Sequence, residues 1–322
     1  MHQILINMGI ANDVRIKDYK QMKNPSQSIS HRILLFPLAT FLVLSAAITA
    51  CGGDRPDAAD ERAVASPKHD FSDEPCFVSM WNHRRDLDPS DLGAELGINH
   101  IWSHDDAYHG QEWEETHMYR LLQIPGVDYV MAKIERAAWG WDHEMSLSHA
   151  KWVAKLSKEH PGIAGMYLND FYDEVEDGYR TEEQWREIID TAKSINPDLK
   201  LWVPHYPHRD QGRHAFDFDI DGVILNLWGN EPELLARAEE HLAAGLAHHP
   251  DREIIAGLYL RSGMDGGRWL TEDEFRFVYG HYVDMLNAGQ LKGVRIFAAY
   301  QLKERPEYIE WAKEILESVT CR

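Results

Sequence analysis

From residue 76 onward, polar positions break the chain into a regular beat. Short runs rich in β-branched and aromatic residues fall at 76–81, 100–104, 129–135, 163–170, 199–206, 222–228, 254–260 and 294–300. Continuous apolar runs of this length suit parallel strands buried on both faces. The stretches between them carry helical patterns. Thr181-Glu182-Glu183-Gln184 and Thr271-Glu272-Asp273-Glu274 have capping-box spacing ahead of amphipathic segments. Pro232 and Pro306 stand where a first-turn proline belongs, and Asn196-Pro197 and His249-Pro250 stop the helices before the fifth and seventh strands. Eight strand–helix units in about 245 residues predict an α/β fold, a (βα)8 TIM barrel. Between Tyr206 and Phe216 there is hardly room for a full helix, so helix five is expected to be short or missing. An open doubly wound sheet is disfavoured, because no glycine-rich phosphate loop follows the first strand.

The first 50 residues follow another pattern. A basic flank at His31-Arg32 leads into an apolar run from Ile33 to Ala50, broken by Pro37, which ends Ile48-Thr49-Ala50-Cys51-Gly52-Gly53. That order is expected of a secretory signal peptide over residues 1–50, with Met22 as an alternative start. A transmembrane anchor would need about 20 apolar residues. The Cys51 junction resembles the lipobox of bacterial lipoproteins. The resemblance implies lipidation of Cys51, export, and anchoring to the cell envelope through that lipid alone. Residues 51–75, rich in Asp, Ala, Pro, Glu and Ser, read as a flexible tether, which leaves 76–322 as the barrel domain.

Charge narrows the partners. The chain carries 33 Lys+Arg against 53 Asp+Glu, a net −20, and removing residues 1–50 takes this to −23. Such a surface argues against nucleic acid and anionic membranes, and a monomer is expected. Of three cysteines, Cys76 opens the first strand and Cys321 follows the last helix. In a closed barrel these ends are neighbours. An exported protein could bridge them, which is worth roughly 4–5 kcal/mol in the chain-entropy model. The alternative is two unpaired thiols on frayed ends.

Candidate chemistry concentrates at one end of the strands. The C-terminal ends read Trp81-Asn82-His83, Trp102-Ser103-His104-Asp105, Glu135-Arg136 with Trp139 and Trp141 beyond, and Asn169-Asp170 with Glu174 beyond. The later strands end His205-Tyr206 with Arg209, Asn226-Leu227-Trp228 with Glu231, Tyr259-Leu260-Arg261, and Tyr300. In a barrel of this kind the catalytic groups sit at those ends. Aromatic faces beside hydrogen-bonding groups suit sugar rings, so Trp81, Trp102, Trp139, Trp141, Trp228 and Tyr300 are candidate subsite walls. His83, His104, Asp105, Asn169, His205, Tyr206, Arg209, Asn226, Glu231, Tyr259 and Arg261 are candidate contacts to hydroxyls or to an anionic group. The run His104-Asp105-Asp106 with His109 has the ligand types for a zinc or manganese ion. A hydrogen-bonding rim is the plainer alternative, and no cofactor is expected.

The sharpest motif is Gly165-Met166-Tyr167-Leu168-Asn169-Asp170-Phe171, which sets a carboxyl at a water-poor barrel mouth. Burial raises the pKa of such a group and suits it to general acid work. A barrel with an acid at the fourth strand end resembles the TIM-barrel glycoside hydrolases. The resemblance covers the fold and this strand end, and implies a carbohydrate substrate and a pair of carboxylates. Asp170 would be the general acid, with Glu135, then Glu174 and Glu231, as candidates for its partner. The chain departs from that pattern at Asn169, where barrels acting on 2-acetamido sugars carry a second Asp, and at Arg261, where a large retaining group carries an acid. Two other functions fit the same residues. His and Tyr side chains with Arg209 and Arg261 could run elimination on uronic sugars, as in a polysaccharide lyase or dehydratase. A glycan-binding lipoprotein without catalysis would use the same rim.

Overall fold

A computed structural model describes residues 75–82, 88–103, 111–209, 218–229, 231–261 and 267–321. The predicted leader, Cys51 and the tether as far as residue 74 lie outside the described residues, as do 83–87, 104–110, 210–217, 230, 262–266 and 322. The chain divides into a unit of residues 1–61 and one of 62–322, and the second holds every described residue.

Eight parallel strands close on themselves in sequence order. They are β1 (Phe77–Trp81), β2 (His100–Trp102), β3 (Tyr129–Ile134), β4 (Ile163–Leu168), β5 (Lys200–His205), β6 (Gly222–Leu227), β7 (Glu253–Tyr259) and β8 (Gly293–Phe297). β1 closes the barrel against β8, from Phe77 opposite Gly293 to Trp81 opposite Phe297. The helices between them are α1 (Ser90–Leu96), α2 (His117–Leu122), α3 (His143–Glu159), α4 (Phe171–Glu176), α5 (Glu182–Ile195), α6 (Pro232–Leu235), α7 (Ala238–His248), α8 (Glu272–Asn287), α9 (Ala299–Glu304) and α10 (Glu307–Leu316). This is a (βα)8 barrel. Between β5 and β6 the described residues form one 3-10 turn, Pro207–Arg209. Both capping boxes form, with Thr181 and Gln184 opening α5 and Thr271 and Glu274 opening α8.

Two cores explain why the strands read as unbroken apolar runs. Outward residues such as Val78, Ile101, Val130, Met166, Leu201, Val223, Ile254 and Val294 pack under the helices. Alternate residues, among them Phe77, Trp102, Met131, Tyr167, Trp202, Ile224 and Ile255, fill the barrel. Both faces must exclude water, so a period-two signal is lost. Trp202 takes its space from glycines on either side. A Cβ on Gly222 would lie 2.2 Å from the Trp202 ring, and one on Gly165 would lie 2.6 Å from the Lys200 carbonyl oxygen.

The strand ends differ from the expected spans. β8 stops at Phe297, its pairing partner being the last residue of β1, and the chain turns into α9, so Tyr300 lies on a helix. β4 stops at Leu168, leaving Asn169 and Asp170 as the turn into α4. Cys76 and Cys321 are joined by a disulfide with their Cα atoms 5.7 Å apart, tying the two ends of the barrel together.

Candidate active site

The third and fourth strands deliver the charged part of the mouth. Inward alternation along β3 puts Lys133 and then Glu135 inside the barrel wall, 3% and 4% exposed. Two charges this deep need partners. The Lys133 ammonium pairs with Glu135 Oε2 and lies 5.3 Å from the Trp81 ring centroid. The other oxygen, Oε1, accepts from Asn169 Nδ2 at 2.7 Å and from the Arg136 backbone N–H at 2.9 Å. Asn169 thus has a concrete task, which is to orient Glu135.

Asp170 follows directly, in the left-handed region (φ 47°, ψ 35°). It is the one described non-glycine residue there, and this turn re-aims its carboxyl toward the mouth. Its Oδ2 lies 3.5 Å from Arg136 Nη1, and its Oδ1 accepts from the Tyr206 hydroxyl at 3.4 Å. Burial pushes the Asp170 pKa up to about 6; Arg136 and Lys133 oppose the rise, while the negative charges of Asp173 and Glu135 reinforce it. The tyrosines behind it are neutral acids. Burial raises Tyr259 to about 12 and takes Tyr206 and Tyr167 well above the usual phenol range.

The far side of the mouth is aromatic. Tyr206, Trp228 and Tyr259 form one wall, with Trp228 5.8 Å from Tyr206 and stacked on Tyr259 at 5.9 Å. The Arg209 guanidinium lies 4.1 Å from the Trp228 ring centroid. Below, Trp81, Trp102 and Tyr167 meet as a cluster whose centroids are 4.7–6.1 Å apart. Arg295 of β8, fully buried, bonds to Asn226 Oδ1 and faces both tryptophans, 5.0 and 4.7 Å from their centroids.

The structure therefore brings Glu135, Asn169, Asp170, Tyr206, Arg209, Trp228 and Tyr259 to the mouth. It places Trp81, Trp102 and Asn226 in the barrel interior beneath it, where they are almost fully buried. Tyr300 packs against the same interior cluster, its hydroxyl accepting from Gln301 at 3.1 Å. Other candidates stand elsewhere. His205 shares the outward face of β5 with Val203 and meets His249 at 2.9 Å, because the period-two alternation turns it away from the barrel. Trp141 belongs to the outer core, against His149. Glu174 is fully buried, pairs with Arg180 at 3.2 Å and accepts the Ala137 N–H at 3.0 Å. Arg261 turns to the Gly267 carbonyl and the Trp269 ring. Glu231 is exposed at the start of α6.

His83, His104, Asp105 and His109 lie outside the described residues, and so does the Trp139 side chain. Among the described residues no group of three or more His, Cys, Asp or Glu could hold a metal. Arg295, Lys133 and Tyr167 were not among the candidates read from the sequence. The available signal was a charge inside an otherwise apolar run, Gly293-Val294-Arg295-Ile296-Phe297, which a closed barrel must bury.

No protein-family model matches the chain, and no curated protein matches it. Solved structures do. A GH18 chitinase from Pseudoalteromonas aurantia aligns with a TM-score of 0.52 at 11% identity, over 75% of this chain and 99% of that one. A glucosidase from Croceicoccus marinus aligns at 0.51 and 10% identity, over 76% and 67%. A β-glucuronidase from Bacteroides uniformis aligns at 0.49 and 13%, and the chain spans 30% of that enzyme's length. At these identities the likeness is one of fold: the domain is built as the barrels of glycoside hydrolases are.

Proposed function

We propose that the protein is a carbohydrate-active hydrolase that cleaves a glycosidic bond at this mouth, with Asp170 as general acid. One observation carries the reading. Asp170 is a carboxyl held to about 6 by burial at the strand end where such barrels do their chemistry, so a large fraction is protonated in mildly acidic solution. In the proposed reaction the Asp170 proton passes to the glycosidic oxygen as the bond to the anomeric carbon breaks. Glu135 is the partner carboxylate, oriented by Lys133 and Asn169. It takes a proton from the water that attacks the anomeric carbon, or attacks that carbon itself and is released by water, so a new bond to a water oxygen replaces the one broken. Tyr206 and Arg136 aim the Asp170 carboxyl. The aromatic wall of Tyr206, Trp228 and Tyr259 offers faces for sugar C–H groups.

Two features weigh against elimination. Tyr206 and Tyr259 are shifted away from the phenolate a tyrosine base requires, and His205 faces outward. The leader and Cys51 support the further proposal of an exported, lipid-anchored protein acting at the cell envelope.

The test is hydrolysis of labelled oligosaccharides by wild-type protein, Asp170→Asn and Glu135→Gln. Loss of general acid catalysis lowers kcat about 10²–10⁴-fold in Asp170→Asn, and a comparable loss is expected in Glu135→Gln. Full turnover by a folded Asp170→Asn protein would remove the assignment. Binding without turnover by the wild type would favour a glycan-binding lipoprotein instead.

A further inference from the structure

Arg136 continues the mouth outward from Asp170. One side of its guanidinium lies 3.5 Å from Asp170 Oδ2, and its Cζ lies 6.0 Å from the ring centroid of Tyr179. Beyond it opens a cavity of about 570 Å³, lined by Asp142, His143, Glu144, Tyr179, Arg180 and Gln184 together with the loop after β3. Arg136 thus lies against both Asp170 and Tyr179, and Tyr179 lines this second space.

The walls are fixed before any ligand arrives. Buried Glu174 accepts the Ala137 N–H and pairs with Arg180, joining the loop after β3 to the loop after α4. Arg180 also donates to the Trp141 carbonyl and to Ser146 Oγ, at 2.9 and 2.7 Å. The Tyr179 backbone N–H donates to the Glu174 carbonyl at 3.0 Å. Tyr179 is nonetheless 53% exposed, and it and Phe277 are the exposed large apolar side chains among the described residues. Its backbone is pinned while its ring stands half in solvent at the edge of a polar cavity. An exposed aromatic face with hydrogen-bonding neighbours is what a sugar ring stacks on.

We propose that this cavity is a distal glycan subsite. It takes an uncharged sugar unit, stacked on Tyr179, of a chain whose cleavage point lies at Asp170. Asp142, His143 and Glu144 take its hydroxyls. The assignment rests on the reading of the mouth as glycan-cleaving. The sign of the lining selects the sugar. Arg180 is already matched by Glu174, and the exposed Asp142 and Glu144 carboxylates repel a uronate.

The experiment uses the Asp170→Asn protein, which keeps the substrate intact. Cello-, xylo-, chito- and galacturono-oligosaccharides of two to six units are titrated against it, alone and combined with Tyr179→Ala or Tyr179→Phe. In at least one neutral series affinity should rise with chain length. Tyr179→Ala should erase about tenfold of that rise, the scale of one ring-stacking contact. Tyr179→Phe should keep it, and the galacturonides should gain nothing from length. An unchanged length dependence in Tyr179→Ala, or an equal gain by galacturonides, overturns the subsite. Binding by no series overturns both the subsite and the glycan-cleaving reading. Wild-type protein that binds a series without cleaving it overturns the hydrolase assignment alone, and the Tyr179 comparison still decides the subsite.

Discussion

Asp170 carries two properties that are separable by measurement. As a general acid it must be protonated, so kcat should fall as pH rises through about 6, and the falling limb should vanish in Asp170→Asn. A pH–rate profile flat from 5 to 8 would contradict this. Its effect on stability has a definite sign. The folded pKa lies above the ordinary aspartate value of 3.8, so the folded state binds the extra proton, and stability declines as pH climbs from about 4 to about 6. Asparagine removes the buried charge and tolerates the left-handed turn. Asp170→Asn should therefore be about 1–3 kcal/mol more stable than wild type at pH 7.5 and nearly equal at pH 4, measured by denaturant titration. Glu174 behaves otherwise. It was a candidate by its place in the sequence, but its oxygens are taken up by Arg180, Arg136 and Ala137. Glu174→Ala strands buried Arg180 and should cost about 3–5 kcal/mol in the same titration.

Single elements show where the pattern could be read and where it could not. The α5 and α8 starts were legible because a capping box is a local device, complete within four residues. Strand ends were not, because a strand ends where its neighbour stops pairing. Tyr300 was expected on the eighth strand, yet β1 offers no partner beyond Phe297 and the chain turns into α9. Which face of a strand looks inward was also hidden, since both faces of β5 are apolar or aromatic. His205 and Tyr206 are neighbours in sequence, but one meets α7 and the other Asp170. The tight contact between β5 and β6 belongs to this scale too. Gly222→Ala forces Trp202 to move within a closed ring of strands, and a loss of about 1–3 kcal/mol should follow, read from the urea midpoint. A variant as stable as wild type would show that the barrel interior yields there.

At the scale of the whole molecule, closure is the organising fact. The ladder from β1 to β8 has no open edge, and the Cys76–Cys321 bridge joins residues 245 apart in sequence beside that seam. Closing so long a loop in the unfolded chain is worth about 5 kcal/mol in the entropic model. Reduction without denaturant should lower Tm by about 10–20 °C. A Tm unchanged by reductant, with both thiols shown free by mass, would mean that the bridge contributes nothing.

The eight-beat alternation, the helix caps, the acid at the fourth strand end and the cysteines at the two ends of the domain were all determined by the sequence alone. Each is either local or repeated, so no distant contact is needed to see it. The orientation of Glu135 by Asn169, the burial that moves Asp170, the interior place of Arg295 and the Tyr179 cavity came only with the tertiary structure. These depend on which residues the barrel's curvature sets side by side, and on how much water it removes around them. Neither quantity is carried by any one stretch of chain.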